Sequence, residues 1–95
     1  MISISKEEFQ KIKSVLKQHD VHKAAIFGSF ANGTATSGSD VDLLIDFSGE
    51  KSLLDLANLK IELEEYLNRK FDVLTYASIH PLLKKQILKE QQIIL

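Results

Sequence analysis

Ninety-five residues, 44% of them hydrophobic and 26% charged, are expected to fold as a single domain spanning 1–95, with no room for a second, substrate-binding domain and no sign of disorder. Twelve basic against 13 acidic side chains leave a formal net charge of −1, so the chain lacks the basic footprint of a binder of long nucleic acid. Cysteine is absent, which removes disulfides, thiolate nucleophiles and cysteine-held zinc together, so any metal must be held by oxygen or imidazole.

No apolar stretch approaches the ~20 residues needed to span a bilayer. The opening Met-Ile-Ser-Ile-Ser-Lys-Glu-Glu lacks the apolar core of a signal peptide, and a cytoplasmic location without membrane contact is expected. Ser5 followed by Glu8 is a capping box, with Ile4 and Phe9 as its hydrophobic staple. The first helix is therefore predicted from Lys6 to His19, with Phe9, Ile12, Val15 and Leu16 on its inner face. Asp20 breaks it, and Val21 to Phe27 reads as the first strand.

Gly28-Ser29 closes that strand, and a loop rich in Gly, Ser and Thr follows. The second strand is predicted from Asp40 to Phe47. Alternation places Val41, Leu43, Ile45 and Phe47 on one face and Asp40, Asp42, Leu44 and Asp46 on the other. Asp46 lies roughly 13 Å beyond Asp42 at ~3.3 Å per residue, too far to share a metal with it, and reads as solvated or structural.

After a turn at Ser48-Gly49, Ser52 and Asp55 repeat the capping signal, and Leu56, Leu59, Leu63, Tyr66 and Leu67 form the inner stripe of a helix ending near Arg69. The third strand is predicted as Phe71 to Tyr76. A strand–helix–strand unit of this length makes a right-handed crossover between parallel strands, so the third strand begins at the same end of the sheet as the second. Ser78 or His80 caps a third helix reaching Glu90, with Pro81 in its first turn and Leu82, Leu83, Ile87 and Leu88 around it. The Ile93–Leu95 end reads as a short edge strand, a helix tail or a partner-binding patch. His19, His22 and His80 read as structural or solvated, and Lys84, Lys85 and Lys89 as a solvated face.

Asp is a poor strand former, so Asp72 between Phe71 and Val73 asks for a reason. The crossover brings it to the end of the sheet where Asp40 and Asp42 emerge on one face. Three carboxylates that close repel unless cations neutralise them. Oxygen-only ligation points to Mg²⁺ or Mn²⁺, completed by substrate phosphates or water. Gly28 lets a backbone approach a phosphate closely, and the turn amides and the Ser29 hydroxyl can donate to its oxygens. The combination suits nucleotidyl transfer.

The series Gly28-Ser29-Phe30-Ala31-Asn32-Gly33, then Ser39-Asp40-Val41-Asp42-Leu43, then Asp72 in the strand after the next helix resembles the minimal nucleotidyltransferase family of the DNA polymerase β-like superfamily. The resemblance is strong over Gly28 to Phe47 and agrees in element order across nearly the whole chain. It implies an α/β fold: a small mixed sheet flanked by three helices, with an antiparallel hairpin of the first two strands and a crossover to the third. It implies Asp40 and Asp42 as paired metal ligands, Asp72 as the third carboxylate, and Gly28 and Ser29 as contacts to ATP. Ser39 matches the family pattern and is counted with Gly28 and Ser29 in the nucleotide-binding set, as a residue that caps or orients the loop, and the family commonly has arginine at the position of Asn32. Single-domain members of this size resemble antitoxins that transfer AMP from ATP to a tyrosine of a HEPN ribonuclease toxin. Occlusion of the toxin by binding alone, and transfer to a small molecule with help from a partner subunit, stand as alternatives.

Overall fold

The Glu8 N–H donates to Ser5 Oγ and the Ser5 N–H to Glu8 Oε1, both at 3.1 Å, so the expected capping box opens α1 (Lys6–Gln18). The computed structural model describes residues 4–95; the first three, part of the N-terminal stretch read above as carrying no leader, lie outside the described residues. Ile12, Val15 and Leu16 bury the inner face of α1, which ends one residue early with His19 as its cap. Asp20 takes a positive φ of 61° and turns the chain into β1 (Val21–Phe27).

The hairpin partner, β2 (Val41–Phe47), runs antiparallel to β1 with Phe27 opposite Asp42. It starts at Val41, not at Asp40, because Val41 is the first residue of this strand in register with a neighbour. A second capping box, Ser52 with Asp55, opens the crossover helix α3 (Leu53–Leu67). The chain then returns as β3 (Phe71–Thr75), parallel to β2, with Asp42 beside Asp72. Tyr76 leaves the strand and begins a 3₁₀ turn, Tyr76–Ser78, held by the Ser78 hydroxyl donating to the Thr75 carbonyl at 2.9 Å. His80, not Ser78, caps α4 (Pro81–Glu90): the Leu82 N–H donates to His80 Nδ1 at 3.1 Å. Finally β4 (Gln92–Ile93) pairs antiparallel with β1, giving the sheet order β3-β2-β1-β4.

The core lies between one face of the sheet and α1 with α3. Val41, Leu43 and Ile45 are fully buried there with Leu59, Leu63 and Phe71. Each such side chain contributes about 1.5–3 kcal/mol of transfer free energy, so a slip of β2 by one residue, which would turn the aspartates inward, is strongly disfavoured. On the second face Leu44 and Ala25 are also buried, while Asp42 is half-buried and Asp46 exposed.

Three side-chain expectations are corrected. Tyr66 does not join the inner stripe of α3: it is 53% exposed, at the edge of the face set by Leu59 and Leu63, with the Lys11 Nζ 5.3 Å from its ring centroid. Leu82 and Leu83 of α4 are exposed, because α4 stands off the sheet and buries no residue fully. The segment expected as open loop contains a helical turn, α2 (Ser29–Asn32), so among the described residues four helices flank the sheet where three were expected. Among the described residues, no helix is long and apolar enough to cross a membrane.

Candidate functional site

The short α2 exists because glycines stand at both of its ends. Gly28 enters at φ +70° and Gly33 leaves at φ +81°, both in the region that L side chains rarely adopt. The Ala31 and Asn32 N–H groups donate to the Gly28 carbonyl at 3.1 Å. The amides of Ser29 and Phe30 precede these first helical bonds, so they have no intrahelical acceptor.

Gly28 is constrained a second time. A Cβ placed there would overlap the Asp42 carboxylate, because Phe27 and Asp42 face each other across the hairpin and the carboxylate rises beside the turn. The phosphate-loop candidate and the carboxylate candidate are therefore one structural unit.

Asp42 also adjoins Asp72 across the parallel pair. Burial first, then the charge of Asp72, then that of Asp40, pushes the Asp42 carboxyl up to about 6 from its ordinary 3.8. Asp40 and Asp72 are both exposed, Asp40 just ahead of β2 and Asp72 within β3. The sequence-derived trio thus shares one end and one face of the sheet, with Asp42 at its centre. The carboxylates do not form a closed cage. Among the described residues, no group of three or more His, Cys, Asp or Glu side chains is placed to hold a metal ion.

That arrangement fits a small, hard cation that takes few protein oxygens and completes its shell from substrate and water. The donor set is oxygen alone, and the mutual repulsion felt by Asp42 is the charge imbalance that a divalent cation would relieve.

The remaining candidates shape the loop. Ser39 Oγ accepts from the Thr36 N–H at 2.9 Å, and the Ser39 N–H donates back to the Thr36 carbonyl at 3.0 Å. Ser39 therefore closes the turn that delivers Asp40. Asn32, where a cation is common in the resembling family, is used internally: its Oδ1 accepts from the Thr34 N–H at 3.1 Å and the Thr34 hydroxyl at 2.6 Å. Ser29 opens α2, and its carbonyl accepts from the Thr34 N–H at 3.0 Å.

Two contributions were missed by sequence reasoning. Gln92 Nε2 donates to the Ala31 carbonyl at 2.8 Å, so β4 pairs with β1 and also ties down α2. Only the apolar Ile93–Leu95 run hinted at this strand. The second is basic. Arg69 and Lys70 line a cleft of about 390 Å³ opposite residues 37–40. Sequence reasoning set Arg69 near a helix end and passed over Lys70, and the fold brings both into one cleft with Asp40.

A family model described as polymerase beta, nucleotidyltransferase matches residues 10–95, and the chain belongs to that family. Protein adenylyltransferase MntA of Thermococcus cleftensis is 32% identical over 95 residues, covering 95% of this chain and 96% of its own. A protein of Methanocaldococcus jannaschii that bears the name protein adenylyltransferase provisionally is 54% identical over 81 residues, covering 85% of this chain and 87% of its own. A solved structure of a toxin–antitoxin with AMP-PNP superposes with a TM-score of 0.81 at 20% identity, covering 92% of this chain and 72% of its own, a likeness of fold.

Proposed function

We propose that this chain is an antitoxin that transfers AMP from ATP to a tyrosine hydroxyl of a HEPN-type ribonuclease toxin. The carrying observation is the Asp42 carboxylate, set between Asp72 and Asp40 and so close to Gly28 that only glycine fits there. Membership of the nucleotidyltransferase family and similarity to proteins named as protein adenylyltransferases support the chemistry. The toxin–antitoxin fold neighbour supports the kind of partner.

Asp40, Asp42 and Asp72 would hold Mg²⁺, or Mn²⁺ in its place. When bound, the cation supplies charge neutralisation for the polyphosphate and acidifies a nearby hydroxyl. The rest falls to the chain's own residues. Gly28 keeps the turn clear of side chains so that the polyphosphate can approach, and the Ser29 hydroxyl and the first amides of α2 donate to its oxygens. The acceptor oxygen bonds to the α-phosphorus while the bond from that phosphorus to the bridging oxygen breaks. The acceptor's proton passes to Asp72, and pyrophosphate leaves carrying the electron pair of the broken bond. Ser39 and Asn32 hold the loop rigid without touching the reacting atoms.

The test is the intact mass of the co-expressed toxin. An AMP-sized increment is expected with the wild-type chain and none with Asp42→Asn, which keeps side-chain size and removes the charge. Neutralised toxicity with no increment in the wild-type pair would replace transfer by occlusion.

A further inference from the structure

Lys70 forms none of the ion pairs found among the described residues. Its neighbour Arg69 is committed: Nε donates to Glu8 Oε2 at 2.6 Å, and the guanidinium lies 5.5 Å from the Phe30 ring centroid. Lys70 instead lines the cleft between residues 37–40 and 68–70. The parallel register places Val41 beside Phe71 and Asp42 beside Asp72, and the Val41 N–H donates to the Lys70 carbonyl at 2.9 Å. Lys70 and Asp40 each lie one residue ahead of that ladder, and both line the same cleft. Being two residues before Asp72, Lys70 shares that residue's face of the sheet.

The sheet order gives this ammonium a side. Gly28 and Ser29 follow β1, on one flank of Asp42, whereas Asp72 belongs to β3 on the other, with Lys70 immediately ahead of that strand. An in-line displacement sets the leaving and attacking oxygens on opposite sides of the phosphorus. With the polyphosphate on the β1 flank, attack comes from the β3 flank. The two flanks also differ in access. Beside β1, Leu83 and Ile87 of α4 wall a groove with Phe27 and Gly28, whereas β3 is the free edge of the sheet.

We propose that the acceptor protein approaches over β3 and that Lys70 is a positioning residue, its ammonium holding a carboxylate of the acceptor beside the hydroxyl to be modified. This rests on the adenylyl-transfer reading above. The cleft offers an anion the Lys70 ammonium together with the Ser37 hydroxyl and the Asn68 amide; Arg69 in its wall is already paired with Glu8, and its one carboxylate, Asp40, is a side chain that the cation of the functional reading would neutralise. A cationic acceptor segment would meet like charge at Lys70, and an apolar one would desolvate the ammonium without a partner.

The experiment is steady-state adenylylation of the HEPN-type toxin, varying ATP and toxin separately, by the wild-type chain and by Lys70→Ala, Lys70→Arg and Lys70→Glu. Lys70→Ala should raise the toxin KM by roughly tenfold, the size of one hydrogen bond to a charged group. The ATP KM and kcat should stay within about twofold of wild type, the scale of a lost contact to neither nucleotide nor reacting atoms. Lys70→Arg should restore most of the toxin KM, and Lys70→Glu should raise it further than Lys70→Ala. A raised ATP KM with an unmoved toxin KM would assign Lys70 to the nucleotide and overturn the proposal, as would no change in either. Failure of the wild-type chain to transfer AMP would remove the functional reading and this inference together; failure confined to the toxin KM of the variants would remove this inference alone.

Discussion

Asp42 and Asp46 sit on one face of one strand, four residues apart, and meet opposite fates. Asp46 reaches the imidazole of His22, Nε2 to Oδ2 at 2.7 Å, and both side chains are more than half exposed, at 55% and 52%. Among the described residues Asp42 forms no ion pair; it is half-buried between two further carboxylates and under a glycine turn. A sheet that needed only to fold would treat both positions as Asp46 is treated. Charge concentrated without compensation at one end of β2 marks that end as the one shaped for a ligand, because the fold alone gains nothing from it.

The sharpest break in this comparison comes from removing the charge at each end in turn. Asp42→Asn should lower AMP transfer by about a thousandfold or more, the loss of several kcal/mol of charge stabilisation, read as initial rate with toxin and ATP. Gly28→Ala should follow. Its positive φ alone costs on the order of 1–3 kcal/mol, seen in urea unfolding, and the added Cβ displaces the Asp42 carboxylate, so transfer falls as well.

Asp42 also sets a pH dependence of stability. The Asp42 carboxyl binds its proton more tightly folded than unfolded, so its stabilising share is complete below about pH 3.8 and is lost as the pH rises through about 6. In metal-free protein at pH 7, Asp42→Asn should therefore be the more stable form, by ~1 kcal/mol after allowing for solvent screening. The difference should vanish near pH 4, as followed by urea unfolding. At the far end, Asp46→Asn should change stability by no more than about 1 kcal/mol and leave transfer untouched, as for any exposed pair.

Much of this was legible because local rules and tertiary structure agree. Two capping boxes, at Ser5 and Ser52, marked both core helices, and strict alternation in β2 assigned each residue from Val41 to Phe47 to its face. An aspartate inside a strand singled out Asp72, and the crossover rule brought it to the end of the sheet where Asp42 emerges. What escaped notice depends on contacts distant in sequence. The Ser29–Asn32 turn is too short to show helical periodicity and is defined by Gly28, Gly33 and the Gln92 bond from the chain's end. The exposure of Leu82, Leu83 and Tyr66 follows from where α4 and α3 sit, since helical spacing alone reads these residues as inward. Lys70 acquires meaning only from the parallel pairing of β2 and β3, which brings it into one cleft with Asp40.

The central claim is that the Asp42 end of β2 holds a divalent cation together with ATP, and thermal unfolding with Mg²⁺ and ATP present tests it directly. With nucleotide and cation at ~100-fold excess over Kd, linkage adds about 2.7 kcal/mol to the stability of a protein that binds them folded. In a domain of this size that is a rise in Tm on the order of 10 °C. The wild-type chain and Asp46→Asn should both show this rise, and Asp42→Asn should show almost none. An equal rise in Asp42→Asn, or no rise in the wild-type chain, would contradict the assignment.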